Sequence, residues 1–240
     1  MNRLVLNGDK TGLLLVNRPA LNHYKQEIYL VEQPKNVKPS SQIRILGWHI
    51  NERMNYDTTM NRNIGIVQSK INKFKEFQEI LDQKKLLMIA NSQLLPQITY
   101  GLALVVGQNE NVIESYHKCY MRVVRWVKKS YCFKQSITSL CNSLGWDSPR
   151  MSINKSAAKF ARNVIHNNKP EQVLEYLRLP RTRAVAKIGR RFTINTKSAR
   201  KSLISQSVDI YNVLPDQLKV QDTRDFKKMI KIYKFVFKPD

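Results

Sequence analysis

Apolar residues in the first 56 positions come in short runs broken by turn-forming residues, the pattern of strands. Leu4-Val5-Leu6 and Leu13-Leu14-Leu15-Val16 flank the turn signal Asn7-Gly8-Asp9-Lys10, and Gln33–Ser41 reads as a loop by its Pro, Ser and Asn content. Ile43–Ile50 predicts one strand, with Asn51–Asn55 as the bend of a hairpin. So few strands, without a broad face, make only a sheet edge, and this piece reads as one that expects more sheet.

From Thr58 the period changes. Ile64, Val67, Ile71, Phe74 and Leu81 recur at helical spacing, with Lys70, Lys73 and Lys75 between them. Lys84–Val106 makes the next helical unit, and Pro96 inside it is expected to kink or divide it. A third helix begins near Asn109 or Asn111, either a good N-cap, with Glu110 and Glu114 favourable near the positive end of its dipole. On that helix Tyr116, Tyr120, Val123 and Val127 share one face, while Lys118, Arg122, Arg125 and Lys129 share the opposite one. No acid occurs between Glu114 and Asp147, so nothing within that segment is expected to neutralise the cationic stripe, in contrast to the mixed charge of an ordinary solvated face.

Ser148-Pro149 supplies an N-cap followed by proline at the first helical position. The helix it opens carries Ile153, Ala157, Phe160, Ala161 and Val164, with Lys155, Lys159 and Arg162 alongside. Asn167–Pro170 breaks it and starts a short helix through Leu177. Arg178–Lys201 is the most basic stretch, including Arg181, Arg183, Arg190 and Arg191, without one Asp or Glu. It reads either as a phosphate-binding arm that orders on its partner or as a basic linker or nuclear-import patch. Order returns with Val208–Leu218 and a helix capped by Asp222-Thr223 that carries Phe226, Ile230 and Tyr233. The fold class is therefore α+β: a small N-terminal hairpin or sheet remnant over 1–57, a helical region over 58–130, and a basic helical region with a C-terminal tail over 131–240.

Composition sharpens the functional reading. The 240 residues hold 41 Lys+Arg against 18 Asp+Glu, a formal charge of +23. Such a single-sign excess points to a polyanionic partner, because cations bound to phosphates gain by releasing condensed counterions. Nucleic acid is the first reading; an anionic membrane surface is the rival. Leu86–Val106 is interrupted by Asn91, Gln93, Pro96 and Gln97 and is too polar to span a membrane, and Arg3, Asp9 and Lys10 break any signal-like apolar run. An intracellular location, nuclear or cytoplasmic, is the expectation. Cys119, Cys132 and Cys141 are odd in number and lack C-x-x-C spacing, which argues against a disulfide framework or structural zinc. No Asp-Asp pair, Ser-His-Asp set, Gly-rich phosphate loop or H-E-x-x-H occurs, and Asp9, Asp57, Asp82 and Asp147 stand alone.

Leu6-Asn7…Lys10-Thr11, then Ile43-Arg-Ile-Leu-Gly-Trp48, then a long basic helical remainder resembles the downstream end of a reverse transcriptase of the non-LTR retrotransposon type. In that family a Leu-Asn-x-x-Lys-Thr strand-turn closes the palm, and an Ile-x-x-Leu-Gly hairpin, the primer grip, leads into the helical thumb. Leu94-Leu95-Pro96…Tyr100-Gly101, a helix bearing Arg122 and Arg125, and Leu144-Gly145-Trp146 are similar to the region beyond the palm. Tyr211-Asn212-x-Leu214-Pro215…Leu218 with Phe226-Lys227 resembles the common C-terminal tail of such proteins. The fingers and most of the palm have no counterpart, and no Cys/His knuckle or nuclease motif follows.

The resemblance implies an RNA-directed DNA polymerase family whose metal-binding carboxylates lie upstream of Met1. The chain alone is then expected to bind no cofactor and to extend no primer, with Mg²⁺ held only by a complete palm, for which a palm-containing chain is a candidate partner. Lys10 corresponds to a lysine that stabilises the leaving pyrophosphate; by its own residues it reads equally as an exposed turn lysine. Leu46 and Gly47 correspond to the primer-grip turn. Binding of template–primer duplex or retroelement RNA is assigned to those two residues and to Lys70, Lys73, Lys118, Arg122, Arg125, Lys129, Lys155, Lys159, Arg162, Arg181, Arg183, Arg190 and Arg191. The alternative without polymerase ancestry is a stand-alone basic helical protein that binds RNA or DNA.

Overall fold

The structure, a computed structural model, describes residues 12–14, 28–29, 36–37, 39–53, 56–130, 135–167, 171–174, 177–178, 189–190 and 202–235. It is α+β and largely helical, as the change of period at Thr58 predicts. Contacts group the chain into two units, Met1–Arg62 and Asn63–Asp240, so most of both expected helical regions falls in the second.

In the first unit the strands are short. Among them, β1 (Leu13–Leu14) pairs in parallel with β4 (Pro39–Ser40), and β2 (Ile28–Tyr29) pairs antiparallel with β3 (Asn36–Val37). The longest ladder is β5 (Gln42–Ile45) with β6 (Trp48–Asn51), in the register Gln42 to Asn51 and Ile45 to Trp48. Ile43–Ile50 is therefore not one strand with a bend after it. The reversal lies inside it, at Leu46-Gly47, because both residues take positive φ (49° and 87°) and so form the two-residue turn whose twist matches a hairpin. Behind the hairpin, Trp48 is buried and meets Tyr56 edge-on at 5.5 Å. Thr59 Oγ1 accepts the His49 N–H at 2.6 Å.

Helix α1 (Asp57–Lys73) places Asp57 in its first turn and Lys70 and Lys73 in its last, complementing the dipole at both ends. Phe74 separates it from α2 (Lys75–Ile80), and Asp82 caps α3 (Gln83–Ile89) by accepting the Lys85 N–H at 2.8 Å. The expected unit 84–106 runs on as helix through Pro96, with a change of register before it, and breaks at Tyr100-Gly101. A π-helical turn over Ala90–Leu94 leads directly into α4 (Leu95–Thr99), and the wider turn lies where the ring of Pro96 would crowd a regular α-helical ladder. Gly101 at φ 64° then reverses the chain into a 3₁₀ turn, Leu102–Val105.

Helix α5 (Glu110–Lys128) buries nine of its residues, among them Tyr116, Tyr120, Val123 and Val127, and packs against α3, the π turn, α4 and α6 (Ile137–Ser143). Helix α7 (Pro149–Asn167) opens at Ser148, whose hydroxyl accepts the Met151 N–H at 3.3 Å. Beyond it lie α8 (Glu171–Leu174), the ladder of β7 (Leu177–Arg178) with β8 (Gly189–Arg190), α9 (Leu203–Asn212), α10 (Asp216–Lys219) and α11 (Thr223–Ile232). The short helix expected through Leu177 ends at Leu174, and Leu177 is a buried strand residue. Ser202 and Asp222 cap α9 and α11, the latter as the sequence predicts. The small residues Ala158 and Ala161 on α7 face a core with Val208, Tyr211, Leu214, Leu218, Phe226 and Ile230 from the C-terminal helices.

Candidate nucleic-acid interface

Helix α5 supplies the clearest candidate surface. Its periodicity puts the apolar residues inward, which leaves Lys118 and Arg122 on the solvent side. Among the described residues no carboxylate pairs with Arg122. Lys118 is not free of compensation: its Nζ lies 2.7 Å from Glu114 one turn earlier, and that hydrogen bond holds the Glu114 carboxyl below its ordinary range. The expectation of an unneutralised stripe is corrected at that position. Two further members move. Arg125 is half-buried rather than displayed, and Lys129 has left the helix, since the chain turns into the left-handed region there (φ 52°) to cap α5.

Beside this edge runs an open cleft of about 690 Å³. Helix α1 contributes Gln68, Ile71 and Asn72; α5 contributes His117, Lys118, Met121, Arg122, Arg125 and Trp126; Ile137 of α6 completes the lining. The bottom is apolar and the α5 rim cationic. His117 is half-buried, and burial holds its pKa below the usual histidine value against the opposing pull of Glu114. The α1 wall was not anticipated, because Gln68 and Asn72 are uncharged and lie outside the lysine pattern of that helix.

Helix α7 behaves differently. Lys155 and Arg162, expected on phosphates, are buried. Lys155 Nζ donates to Asp147 Oδ1 at 2.6 Å and to the Lys231 carbonyl at 2.5 Å. Arg162 donates to the carbonyls of Lys219 (3.3 Å) and Gln221 and lies 4.9 Å from the centre of the Phe226 ring. The buried Lys219 in turn donates to the Asn212 carbonyl at 3.1 Å. All three cations thus meet carbonyls at or just beyond the C-terminal ends of α9, α10 and α11, where unpaired C=O groups and the negative dipole end favour positive charge. Neither α7 cation is available to a phosphate. The spacing carried the warning: 155, 158 and 162 form one i, i+3, i+7 row, and Ala158 in that row is wholly buried.

The remaining expected residues are scattered. Lys70 is half-buried and donates to the Gln93 carbonyl at 3.0 Å, and Lys73 is exposed at the end of α1. Lys159 is half-buried, its pKa lowered by desolvation and by the nearby charges of Lys231, Lys155 and Lys227. In the first unit Leu46 stands at the hairpin tip, 85% exposed, beside Gly47. A non-glycine residue at positive φ costs about 1 kcal/mol, so the tip holds strain as well as exposed apolar surface. Arg190 pairs with Leu177 in the β7–β8 ladder. Lys10, Arg181, Arg183 and Arg191 lie outside the described residues, as does Cys132. Cys119 and Cys141 are buried free thiols that burial pushes up to about 11, which makes them inert at neutral pH.

No described helix is long and apolar enough to cross a membrane. No family model, curated protein or solved structure matches the chain.

Proposed function

We propose that this chain is the primer-grip, thumb and downstream part of a non-LTR retrotransposon reverse transcriptase, and that it holds template–primer duplex or retroelement RNA by the phosphates. The observation that carries the reading is the cationic edge of α5, displayed opposite nine buried residues in a chain of formal charge +23. The order of motifs supports the family reading. The hairpin tip at Leu46-Gly47 supports it, since a strained, exposed turn suits close approach to a strand.

In this reading nucleotidyl transfer belongs to a palm that carries the carboxylates and the Mg²⁺, and Lys10 serves the leaving pyrophosphate only beside such a palm. Phosphate contact falls to Lys73, Lys118, Arg122, Arg125, Lys129 and Lys159, with the basic stretch 178–201 adding to them; Lys155 and Arg162 are withdrawn.

The test is filter binding of the full chain to primed duplex across a salt series. With roughly 6–9 phosphates engaged, the log–log slope of affinity against salt is about −5 to −8. A slope near zero, or equal retention by anionic liposomes at the same salt, overturns the proposal in favour of a protein that reads charge on a surface rather than a strand.

A further inference from the structure

We infer that the cleft between α1 and α5 accepts one unpaired base of a single-stranded nucleic acid, with the flanking phosphates on Lys118, Arg122 and Arg125. The inference rests on the nucleic-acid reading above and narrows it to a ligand class.

Three observations carry it. The first is size and shape. A cleft of about 690 Å³ lies within the roughly 300–1,000 Å³ of small-ligand sites. A duplex keeps its bases stacked and paired inside, so only a base taken out of the stack reaches the bottom of such a cleft. The second is the division of chemistry across it. The buried Met121 and Trp126 with the half-buried Ile71 and Ile137 give apolar lining, Asn72 offers an amide with both donor and acceptor, and the cations of the lining all come from α5. That arrangement matches a nucleotide, which is flat and apolar at the base face, polar at the base edge and anionic at one side.

The third is independent of charge. Trp126 lines the cleft, is 2% exposed, and its indole N–H has no hydrogen-bond partner among the described residues. A buried donor without an acceptor is rare and costly in a folded protein. It is accounted for where a small rotation of the ring presents the N–H to an acceptor that arrives with a ligand, such as a base carbonyl or ring nitrogen.

The experiment uses the full chain, ¹⁵N-labelled, with three single-stranded or double-stranded probes: an oligothymidylate eight nucleotides long, an abasic strand with the same number of phosphates, and a duplex. The Trp126 indole signal is identified by elimination, using Trp48→Phe and Trp146→Phe separately. Oligothymidylate is expected to bind roughly tenfold tighter than the abasic strand and to move the Trp126 signal, which the abasic strand leaves in place. Asn72→Trp, at an exposed position of α1 and so without effect on the core, fills the cleft; it is expected to reduce oligothymidylate to the abasic affinity while duplex affinity holds.

Equal affinity for the two single strands, or a Trp126 shift produced equally by the abasic strand, overturns the base site. So does full oligothymidylate affinity in Asn72→Trp. If duplex binding keeps its steep salt dependence in those cases, only this inference fails. If none of the probes binds, the nucleic-acid reading fails with it.

Discussion

Helices α5 and α7 are each 19 residues long, and in the sequence each sets basic residues beside an apolar face. The structure uses those cations in opposite ways. On α5 the row 118, 122, 125 flanks the buried face and lines an open cleft; Arg122 is exposed, Lys118 is exposed and paired only with Glu114 on the surface, and Arg125 is half-buried, so the row turns charge outward. On α7 the row 155, 158, 162 lies within the buried face, and its two cations are consumed by Asp147 and by the backbone carbonyls that end α10 and α11. The lesson is that cation count measures attraction for phosphate only after the chain's own demands are met. Helix C-termini make such demands, because their last carbonyls lack partners and sit at the negative end of a dipole.

The largest effects should therefore come from α7 and appear in stability rather than binding. Arg162→Ala strands the buried Lys219 carbonyl and the part-buried Gln221 carbonyl and uncovers Phe226, and is expected to lower the unfolding free energy by about 3 kcal/mol. Lys155→Ala is expected to cost about 2 kcal/mol, since its partner Asp147 retains some contact with water. Urea titration measures both. Neither variant is expected to change the salt slope of duplex binding under conditions where it is folded. Wild-type stability combined with a flattened slope would place these cations outside after all and dissolve the contrast between the helices.

The complementary change is Arg122→Gln with Arg125→Gln. Here the unfolding free energy should fall by no more than about 1 kcal/mol, through the half-buried Arg125, while the salt slope flattens by roughly 2 units. An unchanged slope removes α5 from the binding surface and leaves the basic stretch 178–201 as the remaining source of affinity.

The two helices also show how far the sequence could be read. The inward face of α5 was legible because Tyr116, Tyr120, Val123 and Val127 repeat at helical spacing with no competing pattern. The caps at Ser148 and Asp222 were legible because a side-chain oxygen three residues before its N–H partner is a local device. The fates of Lys155 and Arg162 were not, because their acceptors are backbone carbonyls about 60 to 75 residues away, and a carbonyl has no residue type to recognise. The residue pattern alone misplaced the hairpin turn, which the resemblance puts at Leu46-Gly47, for a related reason. Turns with positive φ at both central residues favour Asn-Gly, and Leu46-Gly47 offers that signal at one position only. The cleft was half legible: its cationic rim follows from α5, but its facing wall depends on which side of α1 meets α5.

The smallest expected effect is also the most discriminating, because each helix carries one histidine whose pKa partial desolvation has lowered, the half-buried His117 on α5 and the more exposed His166 on α7. His166 is further lowered by Arg162 and lies 3.2 Å from the Tyr211 hydroxyl. A depressed histidine pKa means that the fold prefers the neutral ring. Its contribution to stability is thus present above the unfolded value of about 6.5 and is lost as pH falls below it. Both residues should make the protein less stable on mild acidification, and His166→Gln should remove part of that loss without touching binding. His117 differs in its surroundings, with Glu114, Lys118, Arg122 and Arg125 on its own helix and the Gln68 and Asn72 amides across the cleft. A phosphate brought there favours the protonated ring, so affinity for a single strand should rise as pH falls through the same window, while stability declines. His117→Gln is expected to abolish that rise, and a rise that survives the substitution would show that strands do not run past His117.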